Sequence, residues 1–176
     1  TVLNPSGCDD SLDALNMASL LGAEIKSEGK GLKIKGSGKP RGKTLNCGES
    51  GLAIRMFSPI AALSDEEITL TGKGSLIKRP MSMIEEALSQ LGVKCSSREG
   101  FLPLTVRGPL KAGKCEIDGS VSSQLLTGLL MVLPTLENDS EIHVKNLKSK
   151  PYIDMTLQVH DEFGITIKIT TILSLK

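Results

Sequence analysis

An α/β fold built from repeated βαβαββ units is what this sequence predicts, and three observations predict it. A bulky apolar residue followed by glycine closes a helical pattern at Leu21-Gly22, Leu91-Gly92 and Phe163-Gly164, each time leading into an alternating run. A helix-strand element over residues 50–63 and Glu67–Thr71 recurs over residues 122–133 and Glu141–Lys145. Short strand candidates at residues 43–47 and Lys114–Asp118 precede those two helices. The copies stand slightly over seventy residues apart, and such a period marks a structural repeat.

Each element follows from its own pattern. Thr1-Val2-Leu3-Asn4 precedes a helix as Glu67–Thr71 and Glu141–Lys145 do, so it takes the place of the second strand of a first unit. Five residues before the three glycines stand Met17, Ala87 and Val159, and one residue before stand Leu21, Leu91 and Phe163. Matching positions therefore offer an apolar helix face. Residues 23–25 and 32–35 read as a hairpin around Glu28-Gly29-Lys30-Gly31. Period-two alternation assigns Ile68 and Leu70 in one copy, Ile142 and Val144 in the other, to a buried face. One complete unit spans residues 43–107, and residues 165–175 are expected to supply closing strands. The first unit lacks an opening strand and helix, which points to an excised or shortened piece of a longer protein. We expect one domain over residues 1–176: a partial unit (1–42), a second (43–110) and a third (111–176), sharing a core around an approximate threefold axis.

Composition narrows the function classes. With 176 residues the chain can bury a real core, and its 21 basic and 20 acidic residues leave a net charge of +1. That balance carries no basic stripe for nucleic acid, and one Tyr, three Phe and no Trp give few stacking platforms. Cys8, Cys47, Cys95 and Cys115 form neither a CxxC pair nor a zinc pattern. Reduced, mostly structural cysteines in a cytoplasmic protein are the expectation. The longest apolar stretch is interrupted by Thr127 and stops at Pro134, too short to span a bilayer, and no secretory leader is evident.

The polar residues that matter are those at the strand-to-helix turns. Gly119-Ser120-Val121-Ser122-Ser123-Gln124 opens onto an apolar helix, where unpaired backbone N–H groups suit either an anion or an ordinary serine cap. Asn46-Cys47-Gly48-Glu49-Ser50-Gly51 is a comparable turn, with Arg55 following on the helix. It is neither a Walker loop nor a dinucleotide fingerprint. Lys78-Arg79-Pro80 and Lys148-Ser149-Lys150-Pro151-Tyr152 precede helices, and Pro80 and Pro151 suit a first helical turn. Cations there oppose the helix dipole unless an anion is shared, so Arg79 and Lys150 are either solvated charges or the flanks of a phosphate or carboxylate site. His143 and His160 read as structural or solvent-facing, with no metal-ligand pattern around them. The methionines read as packing residues or exposed helix positions.

Taken together, Asp118-Gly119-Ser120-Val121-Ser122-Ser123-Gln124-Leu125-Leu126-Thr127 and Ser149-Lys150-Pro151-Tyr152-Ile153-Asp154-Met155-Thr156-Leu157 resemble the N-terminal domain of the 5-enolpyruvylshikimate-3-phosphate synthase family. The resemblance implies an inside-out barrel domain of the enolpyruvyl transferase type, facing a second domain across the active site. It implies transfer of the enolpyruvyl group of phosphoenolpyruvate to the 5-hydroxyl of shikimate 3-phosphate, on the route to chorismate, without metal or organic cofactor. By the same resemblance Ser122, Ser123 and Ser149 hold the substrate phosphate, Gln124 contacts both substrates and Tyr152 lies against the ring. Arg79 and Gly51 take phosphoenolpyruvate, with Arg55 and Lys150 in support. The partners implied are these small anions, with no nucleic acid or membrane and a monomeric intact enzyme.

Two rival readings stand beside it: a UDP-N-acetylglucosamine enolpyruvyl transferase, and a noncatalytic scaffold that has kept the repeat. A nucleotide sugar competes with shikimate 3-phosphate only under the first. The family commonly reads Gly-Asn-Ala-Gly-Thr-Ala-Met-Arg where this chain has Gly48-Glu49-Ser50-Gly51-Leu52-Ala53-Ile54-Arg55, so Leu52 replaces a hydroxyl donor with a bulkier group. The family's lysine-serine phosphate segment falls in the first strand-helix element, which this chain lacks. The expected consequence of Leu52 is weak binding of glyphosate, which occupies the phosphoenolpyruvate subsite in the family. Inhibition curves of the intact enzyme and its Leu52→Thr variant measure this, and superimposable curves would overturn it.

Overall fold

The computed structural model describes residues 1–120 and 123–168. In order they form β1 (Val2–Leu3), α1 (Asp9–Leu20), β2 (Glu24–Glu28), β3 (Gly31–Lys35), β4 (Thr44–Asn46), α2 (Gly51–Ala61) and β5 (Glu67–Thr71). A 3-10 turn (Gly74–Lys78) leads to α3 (Ser82–Gln90), β6 (Lys94–Arg98), β7 (Phe101–Arg107), β8 (Lys114–Asp118) and α4 (Ser123–Val132). A second 3-10 turn (Leu133–Thr135), β9 (Glu141–Lys145) and α5 (Lys150–Glu162) follow.

Strand order carries the repeat. The four-stranded sheet runs β4-β5-β7-β6, with β4 parallel to β5 and the other pairs antiparallel. In the sheet β1-β3-β2, β1 pairs with β3 antiparallel as β5 does with β7, so the last three places of the same order are filled. The parallel pair β8-β9 fills the first two. The fold is thus α/β with repeated units. The hairpin β2-β3 turns at Gly29-Lys30, tighter than the four residues expected, because Gly29 takes φ 60° and pairing continues to Glu28↔Gly31.

The three glycine stops share one hydrogen-bond pattern. Ala23 N–H donates to Ala18, Val93 to Leu88 and Ile165 to His160, while Gly22, Gly92 and Gly164 take φ values of 103°, 77° and 75°. Backbone N–H reaching back five residues past a left-handed glycine satisfies carbonyls that the helix end would otherwise leave bare.

Burial departs from the repeat in the last copy. Met17, Leu21, Ala87 and Leu91 are buried as expected, but Val159 is 48% and Phe163 79% exposed. Hairpins follow α1 and α3 and cover them. After α5, residues 165–168 form no strand, and the remainder of the expected 165–175 strands lies outside the described residues. Ile68 and Leu70 are fully buried, whereas Ile142 and Val144 are only partly so, because β9 has a strand on one side alone among the described residues. Pro80 is another correction. It precedes the cap residue Met81 of α3 rather than sitting in its first turn, while Pro151 does occupy the first turn of α5. Lys78 and Arg79 accordingly end a 3-10 turn, where a cation is favourable, and do not begin α3.

The core runs from the sheet residues Leu45, Ile68, Leu70, Leu104 and Val106 through Ile54, Ile84 and Leu88 to Leu125 and Leu129. Cys47 and Cys115 are buried in it, and desolvation pushes their thiols up to about 12 and about 11. Cys8 stays exposed.

Within this core α2 and α4 cross backbone to backbone. A β-carbon on Gly128 would lie 2.9 Å from the carbonyl oxygens of Arg55 and Met56 and 3.0 Å from Met56 Cα. Pro59, inside α2, has no N–H to offer the Arg55 carbonyl four residues back, which leaves that oxygen facing Gly128. Pro134 does the same to Leu130 at the end of α4, and there the imidazole of the buried His160 supplies the partner, its Nε2 lying 3.0 Å from the Leu130 oxygen. Thr127 and Thr156 hydroxyls, 3.2 Å apart, join α4 to α5 one turn earlier.

At an unconstrained helix position alanine is favoured over glycine by about 1 kcal/mol. Backbone atoms cannot move aside, so Gly128→Ala is expected to reverse that sign and destabilise by about 1–3 kcal/mol. Urea unfolding measures it, and an unchanged or raised midpoint would contradict the crossing.

Candidate functional site

Two strand-to-helix turns in this fold are built alike. Asn46 Oδ1 accepts the Gly48 N–H at 3.0 Å ahead of α2, and Asp118 Oδ1 accepts the Ser120 N–H at 2.8 Å ahead of α4. A short acceptor folding back on the N–H two residues later fixes the turn. Ser50 then caps α2 through Ala53 N–H at 3.1 Å. In the other turn the Ser120 hydrogen bonds hold the Asp118 carboxyl below its usual range, with Lys148 contributing less. Ser122 lies outside the described residues. Ser123 is the first residue of α4.

The loop carrying Ser149 is strapped to the second turn. Gly119 N–H donates to Lys145 O at 2.7 Å and Lys148 N–H to Gly119 O at 3.3 Å. A β-carbon on Gly119 would meet Leu147 Cα at 2.9 Å, so glycine alone permits this approach. Ser149 caps α5 in the left-handed region (φ 57°, ψ 37°) without using its hydroxyl on the helix. Tyr152 is 63% exposed. Lys150 is engaged in a salt bridge, its Nζ 2.6 Å from Asp154 Oδ1, and it is not aimed into the turn cluster.

Four of the sequence-predicted residues converge on a single spot. Arg55 Nη1 donates to the Gly51 carbonyl at 3.1 Å and to Gln124 Oε1 at 3.2 Å. A β-carbon on Gly51 would lie 2.7 Å from that same Nη1 and would collide with Arg79 Nη1. Gly51 is the floor on which both guanidinium groups lie. Burial first, and then the Arg79 charge, push Arg55 below its ordinary range. Among the described residues no carboxylate forms an ion pair with either arginine. Two like charges brought together repel, so this arrangement favours an arriving anion that both can share.

The sequence missed several participants. Glu49 turns away from the arginines, and its Oε2 accepts the Ser75 N–H at 3.1 Å. From α1, the Asp13 carboxylate packs against Gly48 and helps raise the Cys47 thiol. His143 pairs with Glu141 at 2.7 Å on β9, and His160 serves the α4–α5 packing, so neither histidine belongs to the cluster. Asp118 showed a local signal, its position two residues ahead of a serine. Glu49 and Asp13 had none, because their partners are distant in sequence.

A family model described as EPSP synthase (3-phosphoshikimate 1-carboxyvinyltransferase) matches residues 1–174. The chain is 37% identical over 176 residues to the 3-phosphoshikimate 1-carboxyvinyltransferase of Clostridium beijerinckii, covering 94% of this chain and 40% of that protein. It is 37% identical over 172 residues to the Methanocorpusculum labreanum protein of the same name, covering 95% and 41%. The chain thus spans about two fifths of the length of these relatives. An EPSP synthase structure from Acinetobacter baumannii shares the fold, with a TM-score of 0.75 at 24% identity over 91% of this chain and 37% of the other. Repeat, turns and matched span lead to one assignment: the chain belongs to the EPSP synthase family.

Proposed function

We propose that this chain supplies one wall of the substrate site of a 3-phosphoshikimate 1-carboxyvinyltransferase. The observation that carries the reading is the pair Arg55 and Arg79 meeting over Gly51 with no counter-ion among the described residues, and with Gln124 hydrogen-bonded to Arg55. Two anionic substrates must be held side by side in this reaction. Their mutual repulsion has to be offset by fixed cations and oriented donors, and their alignment lowers the barrier.

In this reading Arg79 grips phosphoenolpyruvate over Gly51, and Arg55 orients Gln124 between the two substrates. Ser122, Ser123 and Ser149 take the phosphate of shikimate 3-phosphate at the strapped turns, and Tyr152 covers the ring. Lys150, held by Asp154, adds field and no direct contact. Protonation of the phosphoenolpyruvate methylene makes C2 electrophilic, and the 5-hydroxyl oxygen adds there as it loses its proton. The tetrahedral adduct then expels inorganic phosphate, and loss of the methyl proton restores the double bond. The cluster supplies binding and charge but no histidine–carboxylate pair for these proton transfers. One domain, of a partial first unit and two further units around an approximate threefold axis, with a cytoplasmic setting, completes the reading.

Three results are expected. In amide NMR titrations shikimate 3-phosphate shifts Ser123 and Ser149 saturably while unphosphorylated shikimate does not. Arg79→Ala weakens the response to phosphoenolpyruvate by roughly tenfold to a hundredfold, the scale of a lost charged hydrogen bond. Equal responses to both shikimates, or an unaltered Arg79→Ala titration, would overturn the assignment. The chain alone is expected to release no phosphate from the two substrates, and release above a no-protein control would contradict that.

A further inference from the structure

The turn that carries Gly51 and the segment that carries Arg79 are fastened to each other by backbone and by one side chain. Gly48 O accepts the Lys73 N–H at 2.8 Å, and a β-carbon on Gly72 would lie 3.1 Å from that oxygen. Glu49 reaches across the same gap: its Oε2 accepts the Ser75 N–H at 3.1 Å, and its carboxylate lies directly over Gly74. Gly74 takes φ 57°, and any side chain there would collide with the Glu49 carboxylate. Beyond Ser75 the segment is anchored by Leu76, fully buried, whose carbonyl accepts the Arg79 N–H at 3.1 Å.

We propose that Glu49 is a positioning residue for Arg79, acting through Ser75 and the Gly74–Lys78 turn. This rests on the functional reading above and deepens it. Arg79 is exposed and faces Arg55, whose charge repels it away from Gly51. Nothing in the side chain of Arg79 opposes that push, since no ion pair holds it among the described residues. The restraint comes from its backbone, and Glu49 ties that backbone to the very turn on which the guanidinium must rest. A carboxylate placed beside the arginines would neutralise them. Placed over Ser75, it holds the geometry and leaves the positive charge for the substrate.

The test uses the 176-residue chain, with the Arg79 Nε–Hε signal and the Ser75 amide exchange rate as readouts. Glu49→Ala is expected to shift the Arg79 signal and speed Ser75 exchange at least about tenfold. Glu49→Gln keeps an acceptor at the same reach and is expected to restore both. Should Glu49→Ala fail to give a dispersed spectrum, Glu49→Asp, one methylene shorter, is read in its place. An Arg79 signal unmoved in the loss variant, or moved equally in Glu49→Gln, overturns the proposal. Phosphoenolpyruvate is then titrated. A wild-type Arg79 signal that ignores it, while the loss variant still moves that signal, sinks the substrate reading and leaves the positioning role standing.

Discussion

The contact on which the rest of this structure depends is the crossing of α2 and α4 at Gly128. Because no side chain separates the helices there, Arg55 and Gln124 are brought within 3.2 Å across the interface one turn away. Each helix follows a turn fixed by an Asx side chain, so the crossing also sets the two turns in register with each other. Packing and site geometry are therefore one constraint. A methyl group at the wrong place in the core moves the polar cluster at the helix starts, since a close-packed interior transmits strain instead of absorbing it.

Charge is distributed with the same economy of contacts. Arg55 is held by neutral acceptors, Gly51 O and Gln124 Oε1, which orient it without cancelling its charge. Nearby carboxylates are occupied elsewhere: Glu49 on Ser75, Asp154 on Lys150, Asp118 on Ser120. The exposed ion pairs, such as Lys39–Asp65 and Lys145–Glu116, lie at surface positions where each contributes little.

Much of the fold was legible because its signals are local. Alternation over Glu67–Thr71 and Glu141–Lys145, and glycine after a bulky residue at three equivalent stops, depend only on near neighbours. The order of the strands within each sheet comes from the pairing in the structure, where it repeats from unit to unit. What local pattern could not show was coverage: Phe163 has the same sequence setting as Leu91, yet one is exposed and the other buried, because coverage depends on strands that follow. The 3-10 turn before Arg79 was hidden as well, since Pro80 suggested a helix start two residues too early. A motif had singled out Gly51, Arg55, Arg79 and Gln124, and the structure brings these four together. Glu49 escaped because its role lies in a single hydrogen bond, to Ser75, that spans 26 residues.

Pro134, just beyond the end of α4, has a consequence for cooperativity. A helix normally completes its own ladder and can be ordered alone, but Pro134 leaves the Leu130 carbonyl to be met by an imidazole on α5. The last turn of α4 is thus finished only when α5 has docked, and α5 itself begins at the loop strapped to the start of α4. The two helices close a ring of dependence, head to head through Gly119 and tail to tail through His160. Opening either end exposes an unpaired carbonyl, so the pair is built to order and to loosen as a single unit.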